Sequence, residues 1–102
     1  MTVKLVVLYT PPDDPEDFDR HYAATHVPLV KAMPGLLRFE SGRFGGAQGK
    51  AEPKYYCAAE LYFADQAALD AATRSEEGKA TAADFQQIAP PGSRMLVQEL
   101  DD

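Results

Sequence analysis

The sequence predicts an α+β fold of the ferredoxin-like type: a four-stranded antiparallel sheet with its helices on one face. Three observations carry this expectation. Stretches with a two-residue apolar period alternate with stretches of helical period in the order βαββαβ, joined by short connections. The first of these, Val3 to Tyr9, is apolar on both faces beyond its first turn, so a strand there needs cover on both sides. The chain has 102 residues, 45% of them apolar, which is one domain (residues 1–102) large enough to bury its own core. Two helical segments can cover one face of such a sheet. The open face is therefore expected to meet a second copy, giving a homodimer.

Thr10 to Asp14 is a Pro/Asp loop into the first helix. Asp14 suits an N-cap, Pro15 the first helical position, and Glu16 and Asp17 the positive end of the dipole. Phe18, Tyr22, His26, Leu29 and Met33 then recur at helical spacing and form one inward stripe. Pro28 cannot donate to the carbonyl of Ala24 and disfavours the α region at Val27, so the helix is expected to kink or restart just beyond His26. Leu36 to Phe44 reads as a second strand and Gly45 to Pro53 as a polar, glycine-rich loop. Lys54 to Phe63 is the third strand, with Tyr55, Cys57, Ala59, Leu61 and Phe63 on one face and Tyr56, Ala58, Glu60 and Tyr62 on the other. Asp65 and Ser75 are N-caps for two further helical stretches, the second carrying Ala82, Phe85 and Ile88. Ala89-Pro90-Pro91-Gly92 stops the helix, and Ser93 to Leu100 is the fourth strand.

Composition excludes several classes of function. A net charge of −6 opposes binding to nucleic acid and to anionic membrane surfaces. No run approaches a membrane span, Leu5 to Tyr9 is too short for a signal-peptide core, and a single cysteine supports no disulfide framework. A cytoplasmic protein is expected. Neither a phosphate-binding glycine loop nor a zinc pattern occurs, so no cofactor or metal is expected. His21 and His26, five positions apart, would diverge by roughly 140° round a straight helix and make a poor ligand pair.

The motif Phe18-x-x-x-Tyr22-x-x-x-His26-x-Pro28-Leu29, followed by Pro34-Gly35, resembles the signature of the EthD family of dimeric α+β barrel proteins. Tyr55-Tyr56, Glu60-Leu61-Tyr62-Phe63, Ser75-x-x-Gly78 and Ala83-Asp84-Phe85 agree with it, in order, along nearly the whole chain. The resemblance implies two sheets packed face to face into a barrel. It also implies an association with ether degradation beside a monooxygenase system, and relatives that act on small, often aromatic molecules.

His26 is the first candidate for chemistry, because an imidazole near neutrality passes a proton either way; the alternative is a hydrogen-bonded core histidine. Tyr22, one turn earlier, can bond it or a ligand oxygen, or can be a core aromatic. His26 and Tyr22 are thus the expected catalytic pair, and Phe18, Leu29, Tyr9 and Phe39 the expected walls of a ligand space between sheet and helices. One ring nitrogen of His26 is expected to be held by protein and the other to be free. Asp84 is expected to tie down its helix, Cys57 to be buried filler, and Arg38 and Arg43 to be solvated charges or to neutralise an anionic substrate. Three functions follow: acid/base chemistry on a small, largely apolar molecule, non-catalytic carriage of such a molecule to a partner oxidase, and haem handling with His26 as axial ligand.

Overall fold

The computed structural model describes residues 1–45 and 53–102, so the expected glycine-rich loop lies almost wholly outside the described residues. Strand β1 (Val3–Tyr9) pairs antiparallel on one side with β3 (Cys57–Phe63) and on the other with β4 (Arg94–Glu99). Strand β2 (Arg38–Arg43) pairs antiparallel with the far side of β3, giving the order β2-β3-β1-β4. Four helical stretches complete the ferredoxin-like fold: α1 (Pro15–His21), α2 (Val27–Lys31), α3 (Gln66–Arg74) and α4 (Glu76–Ile88).

Pairing runs from Val3 opposite Phe63 to Tyr9 opposite Cys57. With a side-chain period of two, this register puts Val3, Val7 and Tyr9 on the same face as Cys57, Ala59, Leu61 and Phe63. All seven are buried in one cluster with Phe18, Val30, Met33, Leu69 and Ala72 from the helices. The helices therefore share that face. Lys4, Val6 and Leu8 point the other way with Ala58, Glu60 and Tyr62, where a Lys4–Glu60 ion pair (3.2 Å) and a Tyr62–Glu40 hydrogen bond (2.9 Å) cross the open face. Edge strand β4 leaves Met95, Leu96 and Val97 exposed.

The caps are those the sequence promised. Asp14, Asp65 and Ser75 accept from the amides of Asp17 (3.1 Å), Ala68 (2.8 Å) and Gly78 (3.0 Å). Gly78 has a steric reason to lack a side chain. A Cβ there would overlap the Ala72 carbonyl oxygen and lie 2.8 Å from the Cα of Thr73, because α4 starts hard against the end of α3.

The first helical stretch differs from expectation in an instructive way. It does restart at Val27, yet Val27 keeps α-helical angles (φ −57°, ψ −45°). What breaks the regular pattern is a π-helical turn over Tyr22–His26, in which the Val27 amide bonds back to the Tyr22 carbonyl, five residues away. Beyond the wider turn the core positions are Val30 and Met33, so of the expected stripe only Leu29 is displaced. Val30, not Leu29, takes the core position (2% exposed), while Leu29 is half-buried.

Candidate functional site

A buried polar chain runs from the sheet through two helices. Asp84, on α4, meets His26 Nδ1 through Oδ2 (2.8 Å) and His21 Nε2 through Oδ1 (2.7 Å). Two helical stretches are thereby tied to a third by one carboxylate. The π turn makes this possible, since residues five apart, which diverge on an α-helix, are drawn toward one face when the bonding step is five. Asp84 takes the Nδ1–H of His26 and so fixes its tautomer, leaving Nε2 to accept from the Tyr9 hydroxyl at 3.3 Å. Tyr9 has no exposed surface and His26 is 4% exposed.

Burial dominates the charge states here. It holds the His26 imidazole below the usual histidine range, with Asp84 pulling the other way. Burial also works against ionisation of Asp84, but the hydrogen bonds from both histidines outweigh it and keep the carboxyl below its usual range. Tyr9 is pushed far above an ordinary phenol, first by burial. At neutral pH the chain is a neutral phenol, a neutral imidazole and a carboxylate.

Beside this chain a cavity of about 260 Å³ opens between α1 and the β2–β3 pair. Phe18, Asp19, Tyr22, Ser41, Gly42, Arg43, Tyr56, Cys57 and Ala58 line it, because Ser41 and Arg43 face the helices from β2 while Cys57 does so from β3. The Tyr22 ring is clamped: Phe18 stacks on it at 5.8 Å, His26 at 5.5 Å, and Tyr9 meets it edge-on at 5.7 Å. Its hydroxyl is buried without a hydrogen-bond partner among the described residues. Burial pushes that phenol up to about 12, with the neighbouring Ser41 hydroxyl acting in the opposite direction. Cys57 is pushed up to about 11, mainly by burial, and is a neutral thiol. At the rim the Tyr56 hydroxyl donates to both oxygens of Asp19 (2.9 Å each), and Arg43 bonds Asp19 at 2.6 Å while lying over the Tyr56 ring.

Comparison with known proteins decides the family. An EthD domain model matches residues 10–89, which holds the π turn, the cavity and Asp84. The chain belongs to the EthD family. It is 37% identical to an EthD family protein from Bacillus halodurans C-125, whose crystal structure superposes with a TM-score of 0.92 and covers 98% of this chain and 99% of that one. An uncharacterised 11.0 kDa protein in the thcB–thcC intergenic region of Rhodococcus erythropolis is 39% identical over 93 residues, 91% of this chain and 89% of its own length. A dimeric ferredoxin-like protein of unknown function from Jannaschia sp. CCS1, 21% identical, shares the fold with a TM-score of 0.74 over 98% of this chain and all of its own.

In this EthD chain the expected site residues divide. Phe18 and Tyr22 line the cavity. Tyr9 and His26 lie behind them in the core and bond each other, so neither ring nitrogen of His26 is free toward a ligand, contrary to expectation. That arrangement also leaves no nitrogen for an axial bond to haem. Leu29 is displaced from the stripe by the π turn, and Phe39 packs at the core margin opposite Leu61. Arg38 and Arg43 are paired with Glu40 and Asp19, not held ready for an anion.

Three cavity residues escaped sequence reasoning. Alternation carried back to Lys54 puts Tyr56 on the open face. The strand begins at Cys57, and Tyr56, one residue outside it, turns to the helix side and meets Phe18 edge-on at 5.8 Å. Asp19 and Ser41 carry no local signal, since only the packing of α1 over β2 brings them to the cavity. Among the described residues, no group of three or more His, Cys, Asp or Glu side chains is arranged to hold a metal ion. No described helix is long and apolar enough to cross a membrane.

Proposed function

We propose that this EthD protein is a cytoplasmic homodimer that holds one small, largely apolar organic molecule in the cavity between α1 and the β2–β3 pair. The observation behind this reading is the Tyr22 hydroxyl, a buried donor without a partner among the described residues, in a cavity walled by aromatic rings and a neutral thiol. Leaving such a group unbonded costs about 1–3 kcal/mol, which an acceptor on a bound molecule would recover. The dimer is supported by the apolar open face of β1, with Val6 and Leu8, continued onto the exposed Leu96 of β4. An obligate interface of this kind buries roughly 2,000 Å² or more.

Carriage of the molecule, for instance to a partner oxidase, fits the sealed state of His26. Acid/base catalysis is the second reading, favoured by one observation: Asp84, His26 and Tyr9 follow in the order carboxylate, imidazole, hydroxyl. In that reading Tyr9 delivers or takes the proton, and Phe18 and Tyr22 must move to admit substrate to it. Native mass spectrometry of the purified protein tests both. A dimer retaining about one small molecule per subunit supports the proposal; a monomer, or a dimer that captures no small apolar compound, removes it. Turnover of the captured molecule that disappears in Tyr9→Phe selects the catalytic reading, and release of unchanged molecule selects carriage.

A further inference from the structure

Resting on the cavity reading above, we infer that the ligand is neutral, about one substituted ring in size, and carries one uncharged oxygen acceptor such as a ketone, while carboxylates are disfavoured.

Size comes first. A cavity of 150 Å³ is enough for benzene, so 260 Å³ admits roughly one ring with a substituent.

Polarity follows from Tyr22. Its ring is held on both faces, by Phe18 one turn before and His26 one turn after, with Tyr9 at the edge, so its hydroxyl has a fixed direction. With its pKa pushed up to about 12 it remains protonated and donates. The Ser41 hydroxyl on the facing strand is the second polar group near that point. Two hydroxyls converging in an otherwise apolar part of the cavity select a ligand with one acceptor, and they penalise a hydrocarbon by leaving the Tyr22 donor unbonded.

Charge selection follows from the rim. Among the described residues, the charged ones lining the cavity are Asp19 and Arg43, and they are bonded to each other. Tyr56 adds its hydroxyl to the same carboxylate and its ring beneath the guanidinium. The Arg43 charge is therefore offset by Asp19, and a carboxylate entering the cavity would meet Asp19 with no unpaired cation among the described lining residues. The chain's net charge of −6 acts in the same direction.

Three probes of nearly equal size separate these terms: acetophenone, ethylbenzene and benzoate. Binding is measured by titrating each into the purified protein and following the backbone amide signals of Gly42 and Cys57, which border the cavity. Acetophenone is expected to bind roughly three- to tenfold more tightly than ethylbenzene, the range of one net hydrogen bond, with benzoate weaker than both. Tyr22→Phe loses only an unbonded hydroxyl and should fold normally. It is expected to remove the advantage of acetophenone while leaving ethylbenzene within about twofold, the factor expected when no hydrogen bond is lost. Benzoate binding as tightly as acetophenone, or an advantage that survives in Tyr22→Phe, overturns the inference and leaves the cavity reading standing. Failure of all three probes to move the Gly42 and Cys57 signals at millimolar concentration removes the cavity reading, and the inference with it.

Discussion

Replacing Asp84 by Ala removes the carboxylate that serves two imidazoles, and the structure sets how the loss divides between them. His26 is the expensive partner: its side chain is 5% exposed, so its Nδ1–H has no route to water. Stranding a buried donor costs about 1–3 kcal/mol. The His21 side chain is 36% exposed and can turn to solvent, so its bond contributes at most about 1 kcal/mol. The sum is about 1–4 kcal/mol. For a domain of this length each kcal/mol moves the melting temperature by about 4–8 °C, so Asp84→Ala should melt roughly 4–32 °C lower. Asp84→Asn keeps one acceptor and should lose about half as much, while His21→Gln should shift the midpoint by less than about 8 °C. Scanning calorimetry near pH 7.5 measures all three. A drop of under about 4 °C for Asp84→Ala, or equal losses for Asp84→Ala and His21→Gln, would refute the assignment of His26 as the dominant partner.

The same groups fix a pH profile. Folding holds His26 below its free value of 6.5 and Asp84 below 3.8, so the unfolded chain binds more protons and stability falls as pH drops below about 6.5. On the alkaline side Cys57 rises from 9.0 to about 11 and Tyr22 from 10.0 to about 12, so stability falls again as pH climbs through that window. Melting temperature should therefore peak between about pH 7 and 9, and a rise on acidification from 7 to 5 would contradict the burial of neutral His26. Gly78→Ala should destabilise by about 1–3 kcal/mol through its clash with Ala72, where helix propensity alone predicts a gain of up to about 1; urea unfolding gives the sign. Cys57 should react with a thiol reagent at neutral pH far more slowly than free cysteine, and a rate equal to free cysteine would mean an open, ionisable thiol.

How much of this was legible in the sequence depends on the range of the interaction concerned. The caps at Asp14, Asp65 and Ser75 are local chemistry and were read correctly. So was the pairing of an apolar β1 with helices on one face, since period-two alternation survives wherever the strand is regular. It failed at Tyr56 because the strand stops one residue short, which alternation cannot report. The helical stripe placed Phe18, Tyr22 and His26 inward and then went wrong by one at Leu29, because an α period was assumed across a π turn. Pro28 and the five-residue spacing of the two histidines were the available signs. The Tyr9–His26–Asp84 chain joins pairs of residues 17 and 58 positions apart through tertiary packing. The sequence offered Asp84 only as part of a family motif on an otherwise apolar helix face.

A crystal structure of the protein with acetophenone tests the cavity most directly. The ring should lie among Phe18, Tyr56 and Cys57, with its carbonyl oxygen within about 3.2 Å of the Tyr22 hydroxyl and His26 still bonded to Tyr9 and Asp84. A probe seated outside the space between α1 and the β2–β3 pair, or a Tyr22 hydroxyl bonded to protein while the ligand contacts His26 instead, would contradict it.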